Sequence, residues 1–192
     1  MNVSLVKEFE RIRHNHRQAI RHRAARVILF ASVIRVFESG TKDRLLPILA
    51  AIPIDEIATL NDESQFKLWF EGQLNILAQE IKRCNPNNTR IYPGYKWGHA
   101  TKLLTLYIRE MVLNSRYFPN SVVRRVSPWL YVPIDSVGMK RLRQLGSRLP
   151  FTRIKEIDSP EKFYTVQDLL GQAARRVDVP RVWFDDNWGD RQ

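Results

Sequence analysis

Apolar residues recur every three to four positions along most of this chain, and that period restricts it to helices. The clearest case is Phe66, Trp69, Phe70, Leu74, Leu77 and Ile81, which form one stripe. Asp62 or Asn61 caps its start, and Lys82 and Arg83 suit the negative C-terminal end. A second stripe of Ala100, Leu103, Leu104, Tyr107, Ile108 and Met111 predicts a helix from about Gly98 to Ser115. Ser159-Pro160-Glu161 combines a cap, a first-turn proline and an early acid, so a helix follows that packs Phe163, Val166, Leu169, Leu170 and Ala173. Near the N-terminus Ser4 caps a stripe of Leu5, Phe9 and Ile12. Basic residues around Asn15 interrupt it, so the chain there either continues as one long helix with a basic face or breaks. The period resumes through Ile20, Ala24, Val27, Ile28, Ala31 and Ile34, and Gly40 is a stop signal.

Elsewhere the period is weaker. Pro47 and Pro53 limit "RLLPILAAIPIDEIATL" to short helical pieces, and three prolines make residues 117 to 134 an irregular packed connection. Asp135 caps a short helix over "SVGMKRLRQL". β-like runs are few, "RVWFDD" first and "TRIKEI" after it. The expected fold is mainly α, a single globular domain over residues 1–192 with about six to eight helices and little or no β. Within it, residues 180–192 combine two tryptophans with three aspartates and form a C-terminal tail docked on the domain or on a partner subunit.

At 44% hydrophobic and 27% charged residues, the chain lies well inside the globular regime rather than the disordered one. Its longest apolar run, "VILFASVI" from Val27 to Ile34, is far short of the ~20 residues that span a bilayer. No export signal is evident. Cys84 is the one cysteine, which excludes an intrachain disulfide and a cysteine-rich zinc site. These features describe a cytoplasmic, reduced protein with no membrane partner.

Charge is uneven. Seven Lys and Arg face Glu8 and Glu10 between Lys7 and Arg26, and ten face Glu110 and Asp135 between Arg109 and Lys155. The chain carries +11 overall, so these two segments hold all of the excess. Such segments attract polyanions, nucleic acid first, or else serve as a solvated surface. Arg13, Arg17 and Arg21 lie at i, i+4 and i+8 and share one row on a helix. Arg124, Arg125, Lys140, Arg141 and Arg143 make the second patch. The paired arginines of "VRRVSPWLYVP" beside Trp129 and Tyr131 suit RNA or single-stranded DNA, and equally a cation–π packed loop.

The common catalytic signatures are missing: no phosphate loop, no His-Glu-x-x-His, no Gly-x-Ser-x-Gly, no Cys-x-x-Cys. Cys84 follows a helix end, where the dipole opposes a thiolate, and reads as structural. His14 and His16 point to different sides of a helix, and no carboxylate completes a set with His14 and His22. No metal and no cofactor are expected.

One stretch remains, "IYPGYKWGHATKLLTLYI" from Ile91 to Ile108. Pro93-Gly94 permits a tight turn, and Gly98 either lets a second backbone approach closely or positions a helix start. Exposed amides at a helix start suit a phosphate, with Lys96 and Lys102 flanking it and Tyr92, Tyr95 and Trp97 free to stack. The plainer reading packs the aromatics on the core and assigns the glycines to the turn. The order Pro93-Gly94, Gly98, Ala100, an aliphatic helix and then "VPIDSVGMKRL" resembles the helix-hairpin-helix DNA glycosylases. The resemblance covers residues ~91–145. It implies that Gly94 and Gly98 match hairpin glycines that bind phosphate and that Asp135 matches the catalytic aspartate. Here those glycines stand four residues apart, wider than in the family, and Asp135 lies thirty-five residues beyond Ala100, a longer interval than the family's.

The combined expectation is a nucleic-acid-binding protein, DNA or RNA, that uses two basic segments for phosphate contacts and is related in kind to DNA-repair proteins. It is expected not to be an enzyme; if it is one, the activity is glycosylase-like through Asp135. The alternative is a non-enzymatic protein–protein interaction or oligomeric structural protein, a homo-oligomer included.

Overall fold

A computed structural model describes residues 3–31, 37–86, 95–144, 149, 151 and 153–188. Eight α-helices and no strand occur among them. They are α1 (Val3–Ala31), α2 (Thr41–Ala50), α3 (Glu63–Cys84), α4 (Tyr95–Arg109), α5 (Asn120–Val126), α6 (Ser136–Gln144), α7 (Pro160–Arg176) and α8 (Trp183–Trp188). Short 3-10 segments run over Ile54–Thr59, Ser127–Trp129 and Ile154–Glu156, and a π-helical turn over Glu110–Asn114 extends α4.

Of the two readings of the N-terminal segment, the continuous helix is the one observed. No glycine or proline interrupts residues 3–31, and one asparagine costs too little to break a helix of this length. Helix α1 is nevertheless two different objects. Ala24, Ala25, Ile28 and Leu29 are buried on one face of its C-terminal half, while no residue from Leu5 to Arg13 is buried. The stripe of Leu5, Phe9 and Ile12 is at least half exposed. Gly40 takes a φ of 78°, a left-handed conformation that favours glycine, directly before α2.

The core is one cluster drawn from the packed half of α1 and from α2, α3, α4, α6 and α7. Helix α3 supplies Phe66, Phe70, Leu74, Leu77, Ile81 and Cys84 from a single face. Burying each of the larger of these stabilises the fold by about 1.5–3 kcal/mol. Asp62 caps the helix, its Oδ1 accepting from the Gln65 N–H at 2.9 Å, while Gln65 Oε1 accepts from the Asn61 N–H at 3.0 Å. Phe70 stacks on Phe163 of α7 at 5.7 Å and 6°, and Tyr131 meets both edge-on.

The segment before Asp135 is buried without regular partners, so its backbone polar groups need side chains. Gln167 meets that need: its amide accepts from the Val132 N–H and donates to the Val132 carbonyl, both at 2.9 Å. Arg181 serves the two residues just before this stretch as a donor. It is 8% exposed, donates to the carbonyls of Leu130 and Trp129, pairs with Glu63 at 2.6 Å and lies over the Tyr131 ring.

Several expected boundaries shift. Helix α4 begins at Tyr95, not Gly98, and Ser4 lies inside α1 rather than capping it. Residues 117–134 are not wholly irregular, because α5 forms between Pro119 and Pro128. Among the described residues "RVWFDD" and 153–157 of "TRIKEI" are not strands: the first enters α8 and the second holds a 3-10 turn, with Thr152 outside the described residues. Four- to six-residue β-like runs carry no ladder partner here, so local hydrogen bonds win. In α7, Ala174 and Gly171 are buried where Ala173 was expected. The described part of the tail docks on its own domain through Arg181, Val182, Phe184 and Asp185, whereas Trp183 is 49% exposed.

Candidate nucleic-acid interface

The two basic segments meet different fates. On α1, Arg17 and Arg21 are committed internally. Arg17 pairs with Asp55 at 2.7 Å and lies over the Tyr117 ring, 4.4 Å from its centroid. Arg21 pairs with the other Asp55 oxygen and donates to the Tyr117 hydroxyl at 2.8 Å; that hydroxyl donates to Asp55 at 3.2 Å. Asp55 sits on the 3-10 turn between α2 and α3, so this network ties α1 to the body. Burial raises the Tyr117 phenol above its ordinary value, with the Arg21 hydrogen bond acting in the opposite direction. Only Arg13 of the predicted row is exposed with no ion pair among the described residues.

The second segment divides as well. Arg109 pairs with Asp185 at 2.7 Å. Arg125 donates to the Ala58 carbonyl, and Arg143 donates to the Phe151 carbonyl at 2.5 Å. Arg124, Lys140 and Arg141 are exposed, and no ion pair holds them among the described residues.

Around the N-terminus of α6 the structure brings predicted residues together. Asp135 caps the helix through Oδ1, which accepts from the Gly138 N–H at 2.9 Å. Its Oδ2 accepts from Lys102 Nζ of α4 at 3.3 Å. Lys102 is largely covered and Asp135 is 41% exposed. The carboxylate is therefore reachable from solvent with a cation beside it, at the head of a helix whose outer side carries Lys140 and Arg141.

Gly98 lies at a close contact between two elements of the fold. A Cβ at this position would sit 2.1 Å from the Ile154 carbonyl oxygen and 2.9 Å from its carbon. The close approach that a glycine permits here is between α4 and the 3-10 turn at Ile154, and Gly98 is buried. Lys96 lies in the first turn of α4, and Tyr92, Pro93 and Gly94 lie outside the described residues.

Among the described residues no group of three His, Cys, Asp or Glu side chains is placed to hold a metal ion, and no helix is long and apolar enough to cross a membrane. Sequence reasoning missed Asp55 and Arg181, which organise the paired cations and the tail. Asp55 lies 34 residues from Arg21, and no local pattern reports such a contact.

Comparison with known protein families, with curated proteins and with solved structures finds no match to this chain.

Proposed function

We propose that this protein binds nucleic acid through phosphate contacts made by exposed cations that have no ion pair among the described residues: Lys140 and Arg141 on α6, with Arg124 and Arg13. The observation that supports this most is the segregation of charge. Where carboxylates face the basic segments, at Asp55, Asp135 and Asp185, each takes up particular cations, and the α6 pair remains outside these contacts. Free cations on one helix form the electrostatic footprint of a polyanion site. Fluorescence polarisation with labelled single- and double-stranded DNA and RNA across a salt series tests it. Affinity falling steeply as salt rises is expected; absent or salt-independent binding contradicts it.

A chemical role extends this reading through Asp135, whose carboxylate beside Lys102 is suited to a general base or an electrostatic stabiliser on nucleic acid. If strand or base cleavage is detected, an Asp135→Asn protein that folds and keeps that activity removes the role.

The second reading, a protein–protein or oligomer interface, is favoured by the exposed stripe of Leu5, Phe9 and Ile12 on the free half of α1. Helix-in-groove contacts use this i, i+4, i+7 spacing. Light scattering separates the readings: a stable dimer lost on Phe9→Ser supports the interface, and a monomer at all concentrations argues against self-association.

A further inference from the structure

Helix α1 carries a second exposed feature, remote from its free half. Phe30 is 57% exposed, on the side of the helix away from Ala24, Ala25, Ile28 and Leu29. A large aromatic in that position gains nothing from the core. Its ring is instead flanked by cations from two helices. The Arg26 guanidinium lies 5.7 Å from its centroid, one turn back on α1, and Lys42 Nζ of α2 lies 4.3 Å away. Arg23 is exposed one further turn back on the same side. None of Arg23, Arg26 and Lys42 has an ion pair among the described residues; the neighbouring carboxylate, Asp43, is exposed.

We propose that this face, formed by α1 and the start of α2, is a stacking platform for single-stranded nucleic acid. Phe30 takes one unpaired base, and Arg26, Lys42 and Arg23 take the adjoining phosphates. The inference rests on the nucleic-acid reading above and names its substrate class. Two physical points select a single strand. A base can lie flat on an aromatic ring only when it is unstacked from its neighbours, which a duplex prevents. Cations gathered around the ring lie close to where the phosphates beside a stacked base would run, and Lys42 slides from the ring to one of them as the base arrives. An acidic peptide satisfies the cations but makes no use of a flat aromatic surface.

The test uses the full chain and two fluorescein-labelled oligonucleotides of equal length, oligo-dT and an abasic strand of the same backbone. Wild type is expected to bind oligo-dT about tenfold more tightly than the abasic strand, the scale of one base stacked on an aromatic side chain. Phe30→Leu, which keeps apolar bulk but loses the π face, is expected to bind both strands alike. Phe30→Tyr is expected to restore the preference. Phe30 is exposed, so all three proteins fold. If wild type binds both strands equally, or Phe30→Leu keeps the dT preference, the platform is overturned while salt-dependent binding leaves the broader reading intact. If the abasic strand displaces labelled dT at the same concentration as unlabelled dT does, phosphate contact alone explains binding and the platform is again overturned. Absence of salt-dependent binding to any nucleic acid overturns both.

Discussion

The N-terminal basic row and the basic face of α6 read alike in the sequence and differ in the fold. Arg17 and Arg21 are drawn onto Asp55 and Tyr117, where they fasten a long helix to the body. Lys140 and Arg141 stay exposed beside a helix start that Asp135 caps and Lys102 approaches. A cation's function follows from where its nearest carboxylate falls in three dimensions. Local charge density is the same signal for an internal strut and for an exposed cation.

The sharpest way to break this comparison is to disturb the internal side. Gly98 packs against the Ile154 backbone. Gly98→Ala forces α4 and that turn apart, and it is expected to destabilise the protein by about 2–3 kcal/mol, the upper range for an overpacked site. Urea denaturation measures this. A Gly98→Ala protein with wild-type stability contradicts the packing role.

Arg21 should behave as a strut. Arg21→Leu removes hydrogen bonds to Asp55 and Tyr117, and its side chain is 11% exposed, but Asp55 is half solvated and recovers part of the loss in water. The expected cost is about 1–2 kcal/mol, with nucleic-acid affinity per folded molecule unchanged. A stable Arg21→Leu protein with weakened binding reverses the assignment.

A smaller effect concerns pH. Burial pushes the Tyr131 phenol up to about 12 from its ordinary 10, with the Arg181 charge working against the rise. A phenol raised in the folded state contributes stability that is complete below pH 10 and is lost as the pH climbs from 10 toward 12. Tyr117 shifts in the same direction. Denaturation midpoints at about pH 9 and pH 11 should therefore fall with pH, by on the order of 1 kcal/mol. A midpoint that does not fall places these phenols in water.

How much of this was legible beforehand depends on whether a feature is local. Helices α3 and α7 announce themselves through Asp62 and Ser159, caps that act within three residues, and through stripes that the fold buries nearly as expected. Helix α5 was hidden because the prolines flanking it, Pro119 and Pro128, dominate a window longer than the helix itself. Gly98 was recognised as permitting a close approach, but its partner, Ile154, lies 56 residues away and has no signature there. The Asp135–Lys102 contact and the Arg26–Phe30–Lys42 cluster likewise each join elements that only packing brings together. Arg26 and Phe30 stand four residues apart, a spacing that any helix brings to one side, whereas Lys42 comes from another helix.

The central claim is that exposed cations led by the α6 pair, and not the Asp55-bound Arg17 and Arg21 of α1, carry phosphate contacts. The most direct measurement compares salt dependence of binding for wild type, Lys140→Gln/Arg141→Gln and Arg17→Gln/Arg21→Gln by fluorescence polarisation. Loss of two phosphate contacts should lower the log–log salt slope by about two in the α6 pair, with stability held within about 0.5 kcal/mol of wild type. The α1 pair should lose stability and keep the wild-type slope. A slope unchanged in the α6 pair and reduced in the α1 pair would contradict the account.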